Sequence, residues 1–184
     1  MIWLGKMMNP VLRQWKDSDL EPFAQMNSDV EVMRYFLAPM TQTEAQESIA
    51  RMQAGLQQRG WGVWAVEVDG EFAGMVGLNV PRSDLPFSPC MEVLWRFRQQ
   101  FWGRGIAYAA ASEAVEHGFS KVGLDEIVAF TTPPNLRSLR LMERLGFNRD
   151  RNGDFDHPAI PEEHPLRRHV LYRKSRPNGS AELH

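Results

Sequence analysis

The chain has 184 residues, of which 43% are hydrophobic and 24% charged, with a net charge of −2 and a single cysteine. A chain this long forms one domain that buries about 70% of its unfolded surface. The near-neutral balance excludes bulk attraction to nucleic acid or anionic membranes. The lone Cys90 excludes an intramolecular disulfide, and no apolar run approaches the ~20 residues that span a bilayer.

Residues 1–9 read as a loosely held leader. Lys6 has no apolar core of about 7–15 residues behind it, so no signal peptide is expected, and the expected location is cytoplasmic. Pro10 to Trp15 alternates as a first strand. Asp17-Ser18-Asp19 starts a helix whose buried face carries Leu20, Phe23, Ala24 and Met26. Asp29 to Phe36 reads as a second short helix, with Val30, Met33 and Phe36 buried and Pro39 as its stop. Thr43-Glu44-Ala45-Gln46 has the pattern of a capping box. Ala45, Ile49, Met52 and Leu56 line the helix that follows, which ends near Gly60.

Trp61 to Val80 predicts a β-hairpin about the favoured turn Asp69-Gly70. A loop holding Pro81, Pro86 and Pro89 follows. Glu92 to Phe97 reads as a short buried strand. Gln100 to Gly105 forms a tight loop. From Ile106 an Ala-rich helix buries Ala110, Ala114, Val115 and Phe119, and Gly118 and Gly123 weaken and end it. Glu126 to Thr131 is a strand broken by Pro133-Pro134. Asn135 to Leu145 is a short helix with Gly146 as its C-cap. Phe147 to Arg151 and Leu166 to Lys174 form a closing hairpin, and 175–184 reads as a frayed polar tail. The expected organisation is a single domain, 1–184, structured over about 9–174. Its class is α/β, with a mixed sheet and helices on both faces.

Strand, glycine loop and helix start together make an anion site. The first helical N–H groups are unpaired, the helix dipole is positive there, and glycine lets a phosphate approach closely. The same string also suits an ordinary strand-to-helix turn. It is no dinucleotide fingerprint, since Tyr108 stands where a third glycine belongs, and no Walker pattern is present.

Gln100-x-x-Gly103-x-Gly105-x-Ala107, after the strand Glu92-x-x-Trp95, resembles motif A of the GNAT superfamily of acyl-CoA-dependent N-acetyltransferases. Asn135-x-x-Ser138, ending at Gly146-Phe147, resembles the family's motif B. The resemblance covers roughly residues 9–174, and the branch most similar in pattern holds the ribosomal-protein alanine N-acetyltransferases. It implies a twisted, mostly antiparallel sheet that splays open between its fourth and fifth strands, here those of Glu92 and Glu126, with the pantetheine of acetyl-CoA in the split. Trp95, Arg96, Phe97 and Arg98 would grip that arm through their backbone. Gly103, Arg104, Gly105, Ile106 and Ala107 would hold the pyrophosphate. Arg98 and Arg104 either pair with phosphates or are solvated. Asn135 would hydrogen-bond the arm and also suits a helix N-cap. Ser138 would lie near the sulfur and protonate it, because Met142 replaces the tyrosine many members use.

Two places could take the amine proton. One is Glu92, which otherwise reads as a surface carboxylate. The other is the insert Asp154-Phe155-Asp156-His157-Pro158, where Asp156 would attract a cationic amine and His157 relay its proton. The insert also reads as a loop locked by its own hydrogen bonds and prolines. Its spacing fits no zinc pattern, and no metal is expected. Met33, Tyr35, Phe36, Trp61 and Trp64 form either core or an apolar wall at the acceptor mouth. Cys90 reads as a structural thiol, with no histidine placed to activate it. The implied activity is direct acetyl transfer from acetyl-CoA to a primary amine, on a small molecule or a protein N-terminus. No nucleic-acid or membrane partner is expected, and a homodimer is the family-level expectation. The competing readings are a CoA-binding regulatory or vestigial member without turnover, and a nucleotide-binding module.

Overall fold

The computed structural model describes residues 9–82 and 84–177. Residues 1–8 of the leader expected at 1–9 and residues 178–184 of the tail expected at 175–184 lie outside the described residues. Strands β1 (Val11–Arg13), β2 (Val63–Val68), β3 (Glu71–Asn79), β4 (Glu92–Phe97), β5 (Glu126–Thr131), β6 (Asn148–Asp156) and β7 (Arg168–Ser175) form one sheet in the order β1-β2-β3-β4-β5-β7-β6. Neighbours are antiparallel except β4 and β5, which run parallel. Those two share a single registered pair, Glu92 with Val128, reinforced by the Val128 N–H donating to the Met91 carbonyl at 2.8 Å. Beyond it the strands part, so the sheet is split where the family resemblance implies.

The period-2 alternation of β2 decides which helix covers which face. Val63 and Ala65 pack with helices α1 (Leu20–Ser28) and α2 (Gln42–Arg59), through Phe23, Met26, Ala45 and Ile49. Val66 and Val68 join the opposite core with α3 (Ile106–His117) and α4 (Leu136–Arg144), through Ile106, Ala110, Ala114, Met142 and Leu145. Asp69 and Gly70, at φ 49° and 83°, make the left-handed turn between β2 and β3.

Local chemistry overrides periodicity in several places. The helix expected over Asp29 to Phe36 is a run of turns. The Asp29 carboxylate accepts from the N–H groups of Glu31 (2.8 Å) and Val32 (3.3 Å), which competes with helix bonding. Val32 and Met33 are buried there, while Val30 and Phe36 are 73% and 43% exposed. The cap of α2 is Thr41 and not Thr43. Its hydroxyl accepts from Glu44 N–H at 3.2 Å, and the Glu44 carboxylate accepts from Thr41 N–H at 2.7 Å. Thr41→Ala should lower stability by about 0.5–2 kcal/mol. A urea transition with an unmoved midpoint would show the cap to be dispensable.

The α-helix α3 ends at His117, with Gly118 as its C-cap. The chain widens into a π-helical stretch, Gly118–Val122, before Gly123 (φ 81°) stops it. A Cβ on Gly118 would meet Ile127 Cδ1 at 2.8 Å, so close packing on β5 accounts for that glycine. Strand β6 runs on to Asp156, past the expected end at Arg151, with an irregular register between Asp150 and Phe155. That irregularity is a bulge, after which Phe155 pairs with His169.

Candidate active site

The loop between β4 and α3 has both glycines in left-handed backbone, Gly103 at φ 72° and Gly105 at φ 77°. A Cβ on either would meet nothing within 4 Å, so their side of the loop is open. The first α-helical bond is Ala109 N–H to Gly105 C=O at 3.0 Å, which leaves the N–H groups of Ile106, Ala107 and Tyr108 without helical acceptors. Arg104 is exposed beside them. The geometry therefore suits a phosphate. Arg98 points elsewhere. Its guanidinium is held by Glu71 (2.6 Å) and by the Phe72 carbonyl (3.1 Å).

The split lies between β4 and the turn that leads into α4. Trp95 Nε1–H donates across it to Ser138 Oγ at 3.3 Å. Ser138 thus spends a lone pair on Trp95 and keeps its own proton to donate. Asn135 caps α4, accepting from Ser138 N–H at 3.4 Å and donating from Nδ2 to Thr131 Oγ1 at 3.0 Å. Next to it, the hydroxyl of Thr132 is buried with no hydrogen-bond partner among the described residues. An open split, a bridging serine, a capping amide and an unpaired hydroxyl fit an extended polar arm entering between the strands.

Alternation puts Glu92, Leu94 and Arg96 on the other face of β4, with α1 and α2. Glu92 is half-buried as a residue, but its carboxyl group is desolvated. Burial pushes its pKa up to about 7, against the opposing effect of a 2.5 Å bond from Asn79 Nδ2. Two residues beyond its partner Val128, Phe130 opens a cluster of rings: Phe130, Phe87, Phe155, His157 and His169 pack with centroids 5.0–6.3 Å apart. His157 Nδ1 accepts from Ala159 N–H at 3.2 Å, so its ring proton sits on Nε2. His169 Nδ1 lies 3.1 Å from the Arg167 carbonyl and must donate to it, which leaves the Nε2 lone pair free. Burial lowers the pKa of both histidines.

Asp156 and His157, adjacent in sequence, are not a pair. The Asp156 carboxylate is taken by Arg168 (3.3 Å) and Arg167 (3.8 Å). The stretch after His157 is locked by its own bonds, His157 N–H to Arg167 C=O (2.8 Å) and Arg167 Nη1 to Ile160 C=O (2.9 Å). His169 was missed by sequence reasoning. Its signal is alternation in β7, which sets it opposite to Val170. The expected aromatic wall divides. Tyr35 OH donates to the Pro134 carbonyl at 3.0 Å and Phe36 covers Arg96, whereas Trp61 stacks under Arg59 and Trp64 packs on His117. Cys90 is half-buried, and burial raises its thiol pKa. Among the described residues no group of three His, Cys, Asp or Glu is placed to hold a metal ion, and no helix is long and apolar enough to cross a membrane.

A family model described as acetyltransferase (GNAT) domain matches residues 10–148. The uncharacterized N-acetyltransferase YoaA of Bacillus subtilis is 30% identical over 144 residues, 76% of this chain and 80% of that protein. A GNAT-family acetyltransferase from Bacillus anthracis superposes with a TM-score of 0.74 at 22% identity, over 93% of this chain and 97% of that one. The spermidine N-acetyltransferase of Vibrio cholerae, solved with CoA and spermine, gives 0.71 at 16% identity, over 91% and 96% of the two chains.

Proposed function

Because the chain belongs to the GNAT acetyltransferase family and is an N-acetyltransferase, we propose that it moves the acetyl group of acetyl-CoA directly to a primary amine, with both substrates bound at once. The observation that carries this reading is the split between β4 and β5, with an open glycine loop at one end and Ser138 bridging it. The CoA held by the Vibrio neighbour supports acetyl-CoA as cosubstrate.

Backbone groups of Trp95 to Phe97 grip the pantetheine along the exposed edge of β4, whereas those of Arg98 are spent, its N–H on the Ala73 carbonyl and its C=O on the Phe101 N–H. Gly103 to Ala107 hold the pyrophosphate, assisted by Arg104. Asn135 and Thr132 complete the arm's hydrogen bonds. The amine enters from the face that carries Glu92. A carboxyl group near pKa 7 is matched to taking a proton at neutral pH, which makes Glu92 the general base. The amine nitrogen attacks the thioester carbonyl and gives its proton to Glu92. The C–S bond then breaks, and the sulfur takes a proton through the Ser138 hydroxyl, which regains one from solvent as Glu92 gives its own up to solvent. With Asp156 held by arginines, the insert contributes His157 and β7 contributes His169 as a polar wall of the amine site.

Thermal shift with acetyl-CoA, CoA, ATP and NAD side by side tests the cofactor reading. A ligand bound only by the folded state adds about 2.7 kcal/mol at a hundredfold excess over Kd. Acetyl-CoA and CoA should raise Tm, and ATP and NAD should not. No shift with acetyl-CoA would make the glycine loop a plain turn.

A further inference from the structure

Arg96 was expected to act through its backbone alone, yet its side chain is the more unusual part. The residue is 9% exposed, and no carboxylate pairs with it among the described residues. Its Nη1 donates to Asn27 Oδ1, while Nε is buried without any hydrogen-bond partner among the described residues. The ring of Phe36 lies over the guanidinium, 3.9 Å from centroid to carbon. Asn27 is itself fully buried and fixed, donating from Nδ2 to the Phe23 carbonyl at 2.7 Å and accepting from Met40 N–H at 3.0 Å. An uncompensated buried cation is among the costliest groups a fold can keep. Desolvation lowers its pKa to about 10, which still leaves it charged at neutral pH.

Its place gives the cost a purpose. Arg96 and Glu92 share one face of β4, four residues apart, so their Cα atoms are about 13 Å from each other along the strand. What covers the guanidinium is the connection between α1 and α2, which is made of turns. That connection is pinned by Gln99 Nε2 on the Asp29 carboxylate (2.8 Å) and by Tyr35 on Pro134 (3.0 Å). With Nη1 spent on Asn27, the unsatisfied Nε side of the planar fork is the edge that matches a carboxylate. An aromatic ring on the guanidinium face does not block a partner lying in its plane.

We propose that Arg96 is an anion subsite of the acceptor pocket, and that the acceptor is an amine carrying a carboxylate, as a free amino acid or ω-amino acid does. The inference rests on the N-acetyltransferase reading for the amine end and on Arg96 for the other. It sets this site apart from one built for polyamines, because an unpaired buried cation repels a second cationic group.

The test pairs glycine, 4-aminobutyrate and 6-aminohexanoate with their neutral amides, and adds spermidine. Thiol release from acetyl-CoA is measured, together with calorimetric binding to the CoA-saturated protein. At least one acid should exceed its amide by about 10- to 100-fold in kcat/KM, the worth of a charge-assisted hydrogen bond. Arg96→Gln should erase that preference, and Arg96→Lys, which keeps the buried charge and loses the fork, should retain part of it. Acids and amides that behave alike on the wild-type protein, spermidine as the preferred acceptor, or an Arg96→Gln variant that loses both classes equally would each overturn the proposal. Acids that bind through Arg96 but are never acetylated would leave the subsite standing and defeat the transfer reading. Neutral amines acetylated while no acid binds would do the reverse.

Discussion

Glu92→Gln should lower kcat/KM for the acceptor amine by about 10²- to 10⁴-fold, the usual contribution of a positioned general base. The base must be ionised to work, so the wild-type rate should rise with pH and reach half its plateau near 7, where burial has moved the carboxyl group. The variant should lack that limb. The same shift has an opposite consequence for stability. The folded state holds the Glu92 proton more tightly than the unfolded chain does. Ionisation therefore destabilises the fold as pH rises from the ordinary value of 4.5 through about 7. Fully developed, the difference is about 3 kcal/mol. At pH 8 the inactive glutamine variant should be the more stable protein, and at pH 4 the two should match. Denaturant titrations at both pH values, set beside the pH–rate profile, check the two effects together. A variant with unchanged rates would move the base to His169, whose Nε2 lone pair is free.

Gly105→Trp should weaken acetyl-CoA binding by about a hundredfold or more, or about 2.8 kcal/mol. Part of any loss at this position comes from φ 77°, which costs a non-glycine residue about 1–2 kcal/mol. Gly105→Ala separates the two contributions. Its Cβ would stand in open space, so it carries the backbone strain without filling the cradle. Calorimetry should show the alanine variant binding acetyl-CoA with a modest deficit, and the indole variant not binding at all while still melting cooperatively. If the tryptophan variant binds as tightly as the alanine variant, the phosphates sit elsewhere.

The parts of this fold that were legible in sequence depend on neighbours within a few residues. The β2–β3 hairpin follows from alternation and Asp69-Gly70, and the left-handed loop before α3 from Gly103 and Gly105. Where two local patterns competed, sequence could not choose. Thr41 and Thr43 both stand three residues before a Glu or Gln, and the cap went to Thr41, whose backbone is extended at φ −72° and ψ 164°. Asp29 took backbone bonds that the apolar spacing of Val30, Met33 and Phe36 assigned to a helix. The least legible features come from distant pairing. Arg96 meets Asn27 from 69 positions away, and His169 joins His157 only because the bulge in β6 brings Phe155 opposite it.

The lone Glu92–Val128 pairing between β4 and β5 also bears on how the molecule opens and closes. Every other pair of neighbouring strands is zipped over three or more positions, so strands β1 to β4 and β5 to β7 behave as two panels joined at one stitch. An arm that threads between them adds backbone bonds along the unstitched length and works as a second seam. Amide exchange should report it: the Val128 N–H, bonded to Met91, should exchange faster than the amides inside either panel and slow sharply when the cosubstrate is added, so that occupancy is felt as cooperativity between the halves.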